Sequence, residues 1–162
     1  MSVDLIPLAT EVLALARQHG LRIATAESCT AGLLVAALTT VSGSAKAVDR
    51  GFVTYSNAAK REMLGVRKAT LDAHGAVSEE TAREMALGAL AHSAAQLAVS
   101  ITGIAGPGGS EFKPEGRVCF GIARKGECRT LTIEFGAPGR TEVRAASVLK
   151  ALELLREAAS QP

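Results

Sequence analysis

Three short segments of this 162-residue chain carry groups able to do chemistry. They are Ala26-Glu27-Ser28-Cys29-Thr30, then Tyr55-Ser56-Asn57-Ala58-Ala59-Lys60, and then Thr102-Gly103-Ile104-Ala105-Gly106-Pro107-Gly108-Gly109, with four glycines in eight residues. A serine at the start of a helix can expose its hydroxyl while the free N–H groups of Cys29 and Thr30 face a developing oxyanion. The simpler role for Ser28 or Thr30 is that of a helix cap. Cys29 is a rival nucleophile, but a small cysteine beside a helix start is more often packed than reactive, and no histidine is placed in sequence to activate it. Lys60 offers the base that a serine nucleophile needs, since Ser-Lys pairs are an alternative to Ser-His. Its amine must be neutral for that role, which burial or a nearby arginine favours; otherwise it is a solvated surface lysine. Tyr55 can relay a proton or simply pack half-buried. In the third segment Gly103, Gly106, Gly108 and Gly109 can present successive backbone N–H groups to an anion, or serve only as a tight crossover. The segment lacks both the GK[ST] ending of a P-loop and the GxGxxG spacing of a dinucleotide fold, so neither ATP nor NAD follows from it. Arg140 and Arg144, four residues apart and so on one helix face, can hold a phosphate or remain solvated.

The elements that must position these groups can be read from hydrophobic periodicity. Leu5, Leu8, Ala9, Val12, Leu13, Leu15 and Ala16 recur at helical spacing before Gly20. A strand over Leu21–Thr25, a polar turn and a helix over Thr30–Thr40 make a first α/β unit. Gly51–Tyr55 predicts a second strand, and Ser56 or Asn57 caps a short helix through Leu64 before Gly65. Ser78 caps a helix that carries Glu79 and Glu80 in its first turn and runs to about Ala95. A buried strand over 96–102 follows. Gly116–Arg124 and Cys128–Phe135, joined at Lys125-Gly126-Glu127, predict a β-hairpin, and Arg140–Ala159 a closing helix. The expected architecture is a three-layer α/β/α sandwich with a mixed, mainly parallel sheet and a C-terminal β-hairpin plus helix, in one domain over residues 1–162. If the first strands are parallel, the three segments converge on one sheet edge, where open α/β sheets bind ligands.

Composition narrows the function classes. A hydrophobic share of 48% with 21% charged residues is that of a soluble globular domain. No apolar run approaches the roughly 20 residues of a membrane span. The N-terminus carries Asp4 and Pro7 and does not read as a signal peptide, so a cytoplasmic location is expected. A net charge of +2, one tyrosine and four phenylalanines give no support for nucleic-acid binding. Cys29, Cys119 and Cys128 are widely spaced, and so are His19, His74 and His92, which argues against a disulfide framework and a metal site.

At the chemistry-bearing residues the chain closely resembles the CinA C-terminal domain family, the stand-alone nicotinamide-nucleotide amidohydrolases. The matching stretches are TAESCTAG at Thr25 to Gly32, DRGFVTYSNAAKREMLGV at Asp49 to Val66, GAVSEETAREMA at Gly75 to Ala86, SITGIAGPGG at Ser100 to Gly109 and GRTEVR at Gly139 to Arg144. The resemblance implies hydrolysis of the carboxamide of nicotinamide mononucleotide, without cofactor or metal. By the same resemblance Ser28 would be the nucleophile, Lys60 its base and Tyr55 an assisting hydroxyl. Cys29, Thr30, Thr102 and the glycine loop would border the substrate, and Arg140 or Arg144 would meet its phosphate. The chain departs from the family pattern at Ala31, where glycine is usual, at Glu115, where an apolar residue is commoner, and at Gly139, where aspartate is frequent. A second expectation is therefore a nucleotide-binding or protein-interaction module of the same fold. The small-molecule mononucleotide is the expected partner, and a homodimer the expected assembly.

Overall fold

Alternation along the central strands decides the layering. In Ile23–Glu27 (β1) and Leu97–Gly103 (β3), Ile23, Leu97, Val99 and Ile101 point to one side, while Ala24, Ala26 and Ala98 point to the other. Both faces are buried, as continuous apolar strands require. The large side chains meet Ile6–Gln18 (α1), Leu33–Thr39 (α2) and Arg140–Ala159 (α6). The alanine face takes Asn57–Leu64 (α3), Lys68–His74 (α4) and Glu79–Ala91 (α5). Small residues let α5 lie close to the sheet. Ser100 Oγ donates to the Ala82 carbonyl at 2.6 Å, and a Cβ at Gly121 would stand 2.6 Å from that oxygen.

The computed structural model describes residues 4–110 and 112–162. Among these, Val48–Val53 (β2), Arg117–Arg124 (β4) and Glu127–Glu134 (β5) complete a sheet of order β2-β1-β3-β4-β5. β1 pairs in parallel with β2 and β3, whereas β4 is antiparallel to both β3 and β5. Four of the five strands thus run the same way and only β4 opposes them, the expected mixed, mainly parallel sheet between two helical layers. The hairpin turns through Lys125 and Gly126, both with positive φ, which is the two-residue turn whose twist suits antiparallel strands.

Several boundaries differ from the periodic reading. The expected helix from Thr30 starts only at Leu33, because Ala31 (φ 47°) and Gly32 (φ 99°) are left-handed. β2 occupies Val48–Val53, earlier than the Gly51–Tyr55 run suggested, so Tyr55 lies beyond the strand. α4 is additional, and α5 stops at Ala91 rather than near Ala95. No helix among the described residues is long and apolar enough to cross a membrane.

Candidate active site

The parallel pairing brings the C-terminal ends of β1, β2 and β3 to one edge, and the three segments meet there. They enclose a cavity of about 300 Å³ lined by Ser28 and Cys29 after β1, Tyr55, Asn57 and Lys60 after β2, Thr102 and Gly103 at the end of β3 and Ile104 to Ser110 beyond it, with Ala76, Val77 and, from α6, Arg140. The Ser28 N–H donates to the Ile101 carbonyl (2.9 Å) and the Thr54 N–H to the Glu27 carbonyl (2.9 Å), tying the exits of the strands together.

Lys60 is the largest fully buried polar side chain in the site. It stands in the first turn of α3, whose N-cap is Ser56, with Oγ accepting from the Ala59 N–H. From there its stem runs under the loop. Nζ donates to Ser28 Oγ at 3.0 Å, to the Thr54 carbonyl at 2.9 Å and to the Tyr55 carbonyl at 3.3 Å. Lys60 is 1% exposed and Ser28 8%, so this contact sits at the closed end of the cavity.

Ser28 to Ala31 form a turn rather than the first turn of a helix, closed by the Ala31 N–H on the Ser28 carbonyl. Within it the N–H groups of Cys29 and Thr30 have no acceptor in another described residue; Cys29 lines the cavity, whereas Thr30 is fully buried and does not border it as the resemblance implied. An alanine in the left-handed region costs about 1–2 kcal/mol. Ala31, where the family usually has glycine, thus holds a conformation that glycine adopts without strain. Arg144 Nε donates to the Cys29 carbonyl (3.0 Å) and its Nη2 to that of Thr30 (3.4 Å). Arg144 thus supports the turn from behind and does not line the cavity. The Thr30 side chain also faces away, donating to the Glu27 carboxylate at 2.6 Å. Burial pushes the Cys29 thiol up to about 11, so it is protonated near neutral pH and a poor nucleophile.

Tyr55 is 61% exposed, and its hydroxyl accepts from Arg140 Nη2 at 3.2 Å at the mouth of the cavity. Its carbonyl, not its hydroxyl, meets Lys60. Arg140 Nη1 donates to the Gly106 carbonyl (2.8 Å), and no carboxylate pairs with Arg140 among the described residues.

The glycine loop is shaped by close approaches. Thr102 Oγ1 donates to the Ala76 carbonyl at 2.7 Å, and a side chain at Gly103 would run into Val118. One at Gly109 would run into the Lys113 carbonyl. Lys113 Nζ in turn binds the carbonyls of His74 and Val77, both at 2.6 Å. Gly106 and Gly108 have positive φ, and Glu115 packs under Gly106. The Gly108 N–H is already taken by Glu115 Oε1 at 2.7 Å, so it is not among the groups open to an anion.

Two contributors escaped the sequence reading. Asn57, which the sequence offers only as a helix cap, lines the cavity. Glu27, an acid closing an otherwise apolar strand directly before the serine, is fully buried with four hydrogen-bond donors around it. That position was the available signal. No group of three His, Cys, Asp or Glu among the described residues is arranged to hold a metal.

Comparison with known proteins identifies the family of the chain. Residues 5–159 match the family model of the CinA C-terminal domain. A "CinA-like protein" of Chloroherpeton thalassium is 56% identical over 119 residues, 73% of this chain and 28% of that protein. The "Nicotinamide-nucleotide amidohydrolase PncC" of Enterobacter agglomerans is 53% identical over 126 residues, 77% of this chain and 76% of that one. The chain thus spans under a third of the former and about three quarters of the latter. Among solved structures, the competence/damage inducible protein CihA of Agrobacterium tumefaciens superposes with a TM-score of 0.93 at 49% identity, covering 99% of this chain and 100% of that one.

Proposed function

The chain belongs to the CinA C-terminal domain family, and from that membership and the chemistry of its cavity we propose that it is an amidohydrolase that converts nicotinamide mononucleotide to nicotinate mononucleotide and ammonia. The observation that carries the reading is the buried 3.0 Å contact between Ser28 Oγ and Lys60 Nζ. A related protein bearing the name nicotinamide-nucleotide amidohydrolase supports the choice of substrate.

Burial favours the neutral form of an amine. Once it loses the proton it donates to Ser28 Oγ, Lys60 Nζ, 3.0 Å away, offers a lone pair that accepts the Ser28 hydroxyl proton. As Ser28 Oγ bonds to the carboxamide carbon, its proton passes to Lys60 and the carbonyl oxygen becomes an oxyanion. The N–H group of Cys29, at the cavity wall, receives that charge. The C–N bond then breaks, Lys60 returns the proton to the leaving nitrogen, and ammonia departs. Water attacks the resulting ester, Lys60 takes its proton, and the acid leaves as Ser28 Oγ is reprotonated. Arg140, with no carboxylate partner, meets the phosphate at the cavity mouth, and Tyr55 orients Arg140 through its hydroxyl.

The test is ammonia release from nicotinamide mononucleotide. Wild type releases ammonia, and Ser28→Ala does not. Lys60→Arg is inactive because arginine stays protonated. Wild type without turnover, or undiminished turnover in Ser28→Ala, rejects the reading.

A further inference from the structure

Glu27 ends β1 one residue before Ser28 and is completely buried. Its Oε1 accepts from Thr30 Oγ1 at 2.6 Å, from the Gly32 N–H at 3.2 Å and from the Leu34 N–H at 2.9 Å, while Oε2 accepts from the Val35 N–H at 3.0 Å. A carboxylate is held in the interior only when such donors replace its water. Here the donors are the backbone groups that would otherwise form the open start of α2. The carboxylate therefore consumes the helix end, and the left-handed residues Ala31 and Gly32 are the bend that folds the chain back over it. Of the two N–H groups in the turn without an acceptor in another described residue, those of Cys29 and Thr30, only Cys29 lines the cavity, Thr30 being fully buried.

We propose that Glu27 is a positioning residue. It fixes the 28–32 turn in the shape that directs the Cys29 N–H group at the oxyanion, acting through Thr30 Oγ1 and the amides it gathers, without touching substrate. The inference rests on Ser28 being the nucleophile, as proposed above. A carboxylate is required because every partner is a donor. In Glu27→Gln one oxygen becomes an NH₂ group and sets a donor against a donor, either at the Val35 N–H or at the Oε1 cluster. Glu27→Asp is one methylene short of α2.

The deciding experiment follows covalent labelling of Ser28 by a small alkyl fluorophosphonate, read by intact mass. In that reaction the Ser28 Oγ–P bond forms, the P–F bond breaks, fluoride leaves and Lys60 takes the serine proton. The phosphoryl oxygen occupies the oxyanion position, so the rate reports the turn and not the nucleotide site. Ammonia release from nicotinamide mononucleotide is measured alongside, with kcat and KM separated and folding checked by circular dichroism. Glu27→Gln is expected to label about 100-fold more slowly, comparable to losing an oxyanion donor. Its kcat falls similarly, with KM within about threefold of wild type, the pattern of an interaction made only in the transition state. Thr30→Val, which removes one hydrogen bond to Oε1, slows labelling by about tenfold. Thr30→Ser, which keeps the hydroxyl, recovers most of that loss. A folded Glu27→Gln that labels at the wild-type rate, or whose loss lies in KM alone, overturns the proposal. Should Glu27→Gln fail to fold, Thr30→Val decides, and wild-type labelling by that variant overturns it. Wild type that labels at Ser28 but releases no ammonia overturns the proposed substrate only, with Glu27 judged on labelling. Wild type that does not label at Ser28 overturns both.

Discussion

Gly88 lies in the middle of α5, where a Cβ would collide with the backbone carbonyl of Leu64 at the end of α3. For Gly88→Ala to be accommodated, carbon and oxygen must separate by at least about 1 Å to reach van der Waals distance, and the partner is backbone that cannot rotate away. Alanine in a helix interior is worth about 1 kcal/mol over glycine, while overpacking costs about 1–3 kcal/mol. The net destabilisation is therefore only about 0–2 kcal/mol, a loss of up to about 8 °C in Tm. Activity is the more sensitive readout. α3 also carries Lys60, one turn before Leu64, and the Lys60 Nζ to Ser28 Oγ contact is already at 3.0 Å. A shift of α3 by about 1 Å stretches that contact beyond hydrogen-bond range and is expected to lower kcat by about 100-fold. Thermal melting and ammonia-release kinetics on the same preparation check the two parts. A Gly88→Ala protein that melts several degrees lower yet keeps wild-type kcat would refute the idea that α3–α5 spacing sets the Ser28–Lys60 geometry.

Further outcomes concern the surroundings of the site. Arg140→Ala should raise KM for nicotinamide mononucleotide at least tenfold with kcat little changed. Arg144→Ala, which strips the donor from the Cys29 and Thr30 carbonyls, should instead lower kcat. Steady-state kinetics separate the two, and identical signatures would contradict the split. Glu115→Gln keeps an oxygen for the Gly108 N–H but removes a negative charge beneath the loop. It should lower KM for the nucleotide about fivefold, near 1 kcal/mol at a partly solvated site, and leave the corresponding nucleoside unaffected. Equal changes for both substrates would discount the charge. Because burial lifts the Cys29 thiol from its ordinary 9.0 to about 11, the unfolded chain ionises first. This group's contribution to stability is then intact below about pH 9 and is lost by about 2–3 kcal/mol as pH rises to 11. Denaturant titrations across that range should show Cys29→Ala with a shallower alkaline decline than wild type.

Much of the architecture was legible because the chain obeys local rules. The 3.6-residue spacing of Ala9, Val12, Leu13 and Ala16 gave α1, and Ser78 capped α5 where expected, its Oγ accepting from the Thr81 N–H. Gly126 marked the hairpin. Boundaries were misjudged where tertiary contacts outrank propensity. Thr30-Ala31-Gly32 has residues a helix tolerates, but Glu27 captures the amides of Gly32, Leu34 and Val35 and bends the segment out of helical geometry. α4 was overlooked, and its region is held by a distant contact: Glu84 on α5 accepts from the Arg67 N–H (2.8 Å) at the α4 N-cap.

For the site, the sequence determined the candidate chemistry: a serine after a strand, a lysine after the next, and a glycine loop after a third, with no His or Cys pattern to compete. Residue types and spacing suffice for that, because a strand's end and a glycine's freedom are local properties. Only the tertiary structure decided how these groups divide the work. Burial against the sheet turns Lys60 inward onto Ser28, 32 positions away in sequence. Two arginines on one helix face separate into Arg140 at the cavity mouth and Arg144 behind the serine turn. Glu115 takes the Gly108 N–H, a donor that the sequence alone leaves for a ligand. Hydrogen bonds between segments far apart in the chain, and exclusion of water from them, are set by packing and leave no local periodicity to read.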